Sequence, residues 1–202
     1  MTSLLNVTVG LRLDGARDRL NAAKKGLGDR ATISALNKTA AQAQTQMSRL
    51  IRENYVISAS LVRERLRVRR AARRGEFAFE AALLGNANNR GRAMNLIHFL
   101  EKDGGVKAYK RGKAGRLDQL RFKVKRGKGF AQVQGAFIGN KGRTVFRRTG
   151  PGRLPIKPVQ TIGVPQMFNT RKNRTAVEKF IRDAFPRIFQ REAAYYLSTL
   201  NR

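Results

Sequence analysis

The chain has 202 residues, 41% of them apolar, enough for one medium domain or two small ones with a buried core, and 43 Lys and Arg stand against 13 Asp and Glu for a formal charge of +30. Charge of this size opposes compaction by self-repulsion, so it calls for a polyanion or an acidic protein surface as working neighbour. The absence of cysteine excludes disulfides, thiolate metal sites and a cysteine nucleophile; no run reaches the roughly 20 apolar residues of a membrane helix, and the start MTSLLNVTVGLRL lacks the basic segment and long apolar block of an export signal.

Leu5, Val7, Val9, Leu11 and Leu13 alternate with mostly polar neighbours, which predicts a strand with one buried face. Asp14 can cap a helix carrying Ala16, Leu20, Ala23 and Leu27 at helical spacing, and Gly26 and Gly28 then predict a bend. Ile33, Leu36, Ala40, Ala43, Met47 and Leu50 recur three and four apart and predict a helix of about five turns, with small residues at its middle that would admit another helix at close range. That stripe reads either as a core-facing surface or as a subunit contact.

Ser58 or Ser60 can cap the next helix, which runs into LVRERLRVRRAARR over residues 61–74. Leu61, Val62 and Leu66 can share one side, while Arg63, Arg67, Arg70 and Arg74 recur three or four residues apart. The pattern predicts a structured helix at the edge of the core, carrying an arginine stripe, rather than a disordered arm. GEFAFEAALLG alternates Phe77, Phe79, Ala81 and Leu83 and predicts a strand. The stretch 86–115 loosens into NANNRGR and KDGGVKAYKRGKAGR around the apolar island MNLIHFL, and is expected to be an exposed insertion or mobile loop.

From Leu120, LRFKVKR, the turn GKG, FAQVQGAFI, the turn GNKG and RTVFRRT predict an antiparallel meander of three short strands, with Phe122 and Val124 inward and Arg121, Lys123 and Lys125 outward. RTGPGRLPIKPVQTIGVPQMF, with four of the five prolines, is expected to be extended with turns. In the last segment Val177, Ile181, Ala184 and Ile188 form one helical stripe and Phe185, Phe189, Ala193, Tyr196 and Leu200 the next, with Pro186 kinking the helix or starting a new one. The fold class is α+β, a single domain over residues 1–202 with long N-terminal and C-terminal helices around a small antiparallel sheet.

Between Gly104 and Arg174 nineteen Lys or Arg meet one acid, Asp118, whereas the last helix holds Glu178, Asp183 and Glu192 and is nearly balanced. A basic run is usually a solvated face, but the net charge favours phosphate binding of an electrostatic, salt-sensitive and sequence-indifferent kind. Zinc-finger spacing, a basic zipper and an RNA-recognition aromatic motif are all absent from the sequence. Phe122, Phe130, Phe137 and Phe146 therefore read as meander core rather than stacking platforms. Candidate contacts to DNA or an acidic partner are Arg63, Arg67, Arg69, Arg70, Arg73, Arg74, Lys123, Lys125, Arg126, Lys128, Arg147 and Arg148; candidate subunit contacts are Leu5, Val7, Val9, Ile33, Leu36 and Met47.

A catalytic constellation is not legible. His98 is the single histidine, in the apolar context LIHFLEKD that predicts a packed or half-exposed ring, and the sequence holds no GxxxxGK[ST] loop, no GxGxxG, no nucleophile elbow and no carboxylate cluster for paired metals. No cofactor is expected, and a DNA-cleaving enzyme is the remote alternative.

The order of features carries a resemblance. A helix ending in ISASLVRERLRVRRA, a basic sheet, GAFIGNKGRTVFRRTGPGRLPIKPVQTIGVPQMF and a proline-interrupted last helix together resemble the minor tail protein Z family of long-tailed bacteriophages, over roughly residues 30 to 200. LVRER with its arginine tail, and the succession GAFI, R-x-G, LPI and P-x-MF, carry the likeness; the segment from Gly85 to Gly115 departs from the short loop of the family's lambda-like members. The resemblance implies a non-enzymatic virion structural protein, made in the host cytoplasm and placed at the head-proximal end of the tail. There it would act in tail completion and head-tail joining and help position the genome end. It implies a homo-oligomeric ring of six or twelve copies as well. The implied neighbours are tail terminator, tail tube and head-tail connector proteins and double-stranded DNA held nonspecifically, with no membrane. The alternative is a sequence-nonspecific nucleic-acid-binding protein outside the virion, sharing the composition without the ring.

Overall fold

The computed structural model describes residues 6–7, 16–23, 26–74, 78–84, 93–100 and 120–199. Its frame is a pair of 28-residue helices, α2 (Leu27–Asn54) and α5 (Arg171–Ser198), each about 42 Å long at 1.5 Å per residue. They run antiparallel: Ser34 and Lys38 near the start of α2 meet Glu192 near the end of α5, while Met47 and Ile51 share a core with Val177. A short helix α1 (Ala16–Ala23) precedes them, and Gly26, in the left-handed region at φ 81, makes the expected bend. Gly28 does not break the chain; it lies buried in the first turn of α2.

The buried column of α2 is Leu27, Ala31, Ala35, Thr39, Ala43, Met47 and Ile51, four residues apart throughout. A row of that spacing forms one ridge of the helix surface, and its alanines let α5 approach closely. Ile33 and Leu36 flank the column half-buried, whereas Met47 is 0% exposed and belongs to the chain's own core, so it offers nothing to a neighbouring subunit. Leu20, Leu27, Ala31 and Ala35 close one apolar cluster with Ala184, Phe185, Ile188 and Phe189, the two phenylalanine rings stacking at 6.1 Å. Pro186 neither ends α5 nor starts a new segment: it faces solvent, where water can reach the carbonyl left without a donor, and the neighbouring Asp183 carbonyl accepts from Arg187 Nε at 3.2 Å.

The expected helix over 58–74 is half right. Ser58 caps α3 (Ala59–Arg65) by accepting from the Leu61 amide at 3.3 Å, and Val62 is fully buried. From Arg67 the chain is a strand, β2 (Arg67–Arg74), antiparallel to β3 (Ala78–Leu84), which also pairs with β1 (Asn6–Val7) in the order β1-β3-β2. Arg and Ala are strong helix formers, so local preference pointed the wrong way; pairing of Val68 with Leu83 across the ladder overrides it. A register shift between Arg69 and Ala72 frees the Ala71 amide, which donates to Asn37 Oδ1 of α2 at 2.8 Å. Of the expected N-terminal strand, only Asn6 and Val7 are described; Leu5 and Val9 lie outside the described residues.

Within 86–115 the expectation of an exposed insertion fails for residues 93–100; residues 86–92 and 101–115 lie outside the described residues. Strand β4 (Ala93–Asn95) and the 3-10 turn Leu96–Phe99 bury Met94, Leu96 and Phe99 in the main core. Asn95 fixes the turn, accepting from the amides of Ile97 and Val145 and donating to the Val145 carbonyl.

The expected three-strand meander is two separate structures. Strands β5 (Arg121–Phe122) and β6 (Ala131–Gln132) form a hairpin, while β7 (Ala136–Gly139), β8 (Thr144–Arg148) and β9 (Ile156–Pro158) form a sheet whose third strand comes from the proline-rich segment, with Pro158 on its edge. Strand β10 (Gln160–Ile162) pairs with β4. GVPQMF then forms a short helix, α4 (Val164–Phe168), absent from the sequence reading. Gln166 Oε1 accepts from the Gly163 amide at 2.8 Å, Pro165 sits in the first turn, where its missing N–H costs nothing, and Val164, Met167 and Phe168 are fully buried. The architecture is α+β, as expected.

Candidate nucleic-acid interface

The basic residues singled out in the sequence fall into three groups on different parts of the fold. On α3 and β2, Arg63, Arg67 and Arg70 are exposed and Arg69 is half-buried; Arg73 and Arg74 end β2 opposite Phe79 and Ala78. An extended strand sends successive side chains to opposite faces, so Arg67, Arg69 and Arg70 do not form the single helical stripe expected.

The second group lies around the β5–β6 hairpin. Phe122 is 1% exposed and Val124 packs against the core, while Arg121, Lys125, Arg126 and Lys128 are exposed and Lys123 is half-buried. The segment between the strands is stitched to the end of α2: the Val56 amide donates to the Val124 carbonyl at 2.9 Å, the Arg126 amide to the Asn54 carbonyl at 3.0 Å, and Arg126 Nε to the Arg52 carbonyl at 2.6 Å. The Lys123 amide donates to the Phe99 carbonyl at 2.9 Å. A concavity of about 540 Å³ opens beside this segment, with Lys125 and Lys128 on one wall, Lys172 of α5 on another, and Glu53 and Asn173 completing it. Phe130, expected in the core, is instead 42% exposed, with the Arg121 guanidinium 4.6 Å and the Lys123 ammonium 5.4 Å from its ring centroid.

The third group is the β7-β8-β9 sheet. Arg147 stands directly across from Lys157, both exposed, and the Arg148 guanidinium lies 5.3 Å from the Phe137 ring centroid. Phe137 pairs with Phe146 at 6.0 Å, and Gly139 makes room for the Phe146 ring, because a Cβ there would come within 2.9 Å of it. Asn140, Lys141 and Gly142 turn the chain through three left-handed residues, with φ of 51, 54 and 85. Lys157 and Lys172 were not singled out in the sequence. Lys157 was hidden between prolines, and the position of Lys172 beside the hairpin is a tertiary fact.

His98 is exposed, with its pKa pushed down by burial of part of the ring and by the Arg65 charge, against a smaller upward pull from Glu64; its sequence neighbours Glu101 and Asp103 lie outside the described residues. Among the described residues there is no group of three potential metal ligands and no helix long and apolar enough to cross a membrane.

Fold and surface together define a class: an α+β protein in which an antiparallel helix pair carries small antiparallel sheets with cationic outer surfaces. The particular family is settled by comparison, since residues 12–202 match the family described as prophage minor tail protein Z. The chain belongs to that family, and so is a minor tail protein of a phage or prophage and a component of the virion. Searches of curated proteins and of solved structures gave no match.

Proposed function

We propose that this tail protein works at the head-proximal end of the tail, in tail completion and head-tail joining, as a homo-oligomeric ring whose cationic sheets face the phosphates of double-stranded DNA. Its role is structural, with no reaction catalysed. The observation that carries the DNA-facing part is a long run of one sign: from Gln119 to Val177 the sequence has fourteen Lys or Arg and no Asp or Glu. Like charges set across a strand pair, as Arg147 and Lys157 are, work against the sheet that holds them, so their use lies outside the chain's own stability. A polymer of phosphates neutralises such a surface by counterion release and needs no base recognition to do so.

A closed ring requires heterologous contacts. Ile33 and Leu36 are half-buried on α2, and among the described residues β1 is an edge strand of its sheet, to which a strand from a neighbouring copy can add. Tail terminator, tail tube and connector proteins are the neighbours this location would bring. The test is a reconstruction of the neck of the intact phage together with a triple reversal, Arg147→Glu, Arg148→Glu and Lys157→Glu. The expected result is a ring with the β7-β8-β9 sheet within reach of DNA, and a folded variant that yields fewer DNA-filled, infectious particles. A sheet pointing away from DNA, or a normal titre from the variant, would overturn the proposal.

A further inference from the structure

We infer that the outer face of the β5–β6 hairpin is a stacking site for an unpaired nucleobase, so that the protein distinguishes single-stranded from duplex nucleic acid. This rests on nucleic acid being the polyanion that the basic surface meets. Phe130 is 42% exposed, on a hairpin whose inward residue Phe122 is 1% exposed. The hairpin's apolar burial is thus met by Phe122, and the Phe130 ring faces outward.

The register explains what surrounds the ring. Arg121 pairs with Gln132 and Phe122 with Ala131, so continuing by one residue sets Phe130 across from Lys123. Alternation then puts Arg121, Lys123, Phe130 and Gln132 on one face. Both cations lie within the 6 Å or so at which a ring's negative face attracts them, at 4.6 and 5.4 Å. The Arg121 guanidinium lies over the Phe130 ring, and the ring, this planar cation and the Gln132 amide on the same face offer a base a π-surface, a second planar group on which to stack and a hydrogen-bonding edge. Lys125, Arg126 and Lys128, all exposed in the same turn, supply charge for the flanking phosphates. Stitching of this segment to Asn54, Val56 and Phe99 holds the platform in place before any ligand arrives, which lowers the ordering cost of binding. In a duplex the faces of the bases are covered by their stacked neighbours, so only an unpaired or splayed base can use such a surface.

The experiment measures binding of the full-length protein to three labelled probes of equal phosphate number: single-stranded oligothymidylate, an abasic strand and a duplex. Wild type is expected to hold oligothymidylate about tenfold more tightly than the abasic strand. Phe130→Ala and Phe130→Leu should erase that difference while leaving abasic and duplex binding unchanged, and Phe130→Trp should keep it. Because Phe130 is exposed, all three variants are expected to fold, which circular dichroism checks. Equal wild-type affinity for oligothymidylate and the abasic strand would overturn the inference, as would an equal loss on all three probes in Phe130→Ala. In either case salt-dependent duplex binding would still support the DNA-facing reading, whereas loss of all binding in wild type would remove that reading too.

Discussion

The helix pair and the cationic sheets solve opposite problems. Where α2 meets α5, Leu27, Ala31 and Ala35 pack on Phe185, Ile188 and Phe189 while Met47 and Ile51 share a core with Val177, and the buried acid of that interface is paired: Glu192, 4% exposed, accepts from Lys38 Nζ at 2.6 Å and from Ser34 Oγ at 2.7 Å. On the sheets, Arg147 faces Lys157 and no carboxylate occurs in the sequence between Asp118 and Glu178. One region pairs its buried charge internally, and the other sets like charges across a strand pair. On the proposed function, stability resides in the helix pair and binding on the sheets, so the two should be separable.

The sharpest way to break this division is Phe185→Ala. Emptying a site that is 1% exposed should cost about 3–5 kcal/mol, read as a lower urea midpoint at unchanged slope. The same truncation at exposed Phe130 should stay within about 0.5 kcal/mol. Comparable losses at the two positions would erase the distinction.

A smaller effect is expected at the interhelical ion pair. Lys38→Met leaves Glu192 buried with only its Ser34 bond and the Arg191 charge, and should cost about 1–3 kcal/mol. Burial alone would push the Glu192 carboxyl up; hydrogen bonds from Lys38 and Ser34, with the charges of Lys38 and Arg191, outweigh it and hold the group below its ordinary 4.5. A carboxyl whose folded value is depressed contributes stability above its unfolded value and loses that contribution as pH falls through the folded one. Melting temperatures should therefore drop on acidification below about pH 4.5 in the wild type, and drop less in Glu192→Gln. Parallel curves for the two proteins would show that the pair does not couple folding to pH.

The least effect on folding belongs to the sheet. Arg147→Gln with Arg148→Gln should change stability by no more than about 0.5 kcal/mol. If each arginine meets one phosphate, the slope of log affinity for duplex DNA against log salt should fall by about 0.9 per residue. An unchanged slope with lost stability would reverse the roles given to the two regions.

Much of the frame was legible because it rests on patterns that a single segment contains. Gly26 marks the bend, the apolar recurrence marks α2 and α5, and the run AFEAALL marks β3. Alternation also placed Phe122 inward and the cations of RFKVKR outward. The failures share a cause, since each depended on a partner distant in the chain. Residues 67–74 look helical until β3 is laid beside them; MNLIHFL looks like an island in a loop until Val145 and Ile162 come within reach. Phe130 looks like core until Phe122 is seen buried with Val124 packed beside it in the core.

Composition and spacing by themselves determined the excess of positive charge, its concentration between residues 104 and 174, the two long helices and the α+β class, because charge and helical periodicity are properties of the chain read locally. Only the tertiary structure decided that the arginines of 67–74 lie on a strand, that residues 93–100 are core, that Met47 is closed to any neighbour, and that Lys125, Lys128 and Lys172 border one concavity. Strand pairing and burial are contacts between residues tens of positions apart, and no local preference encodes which of them will meet.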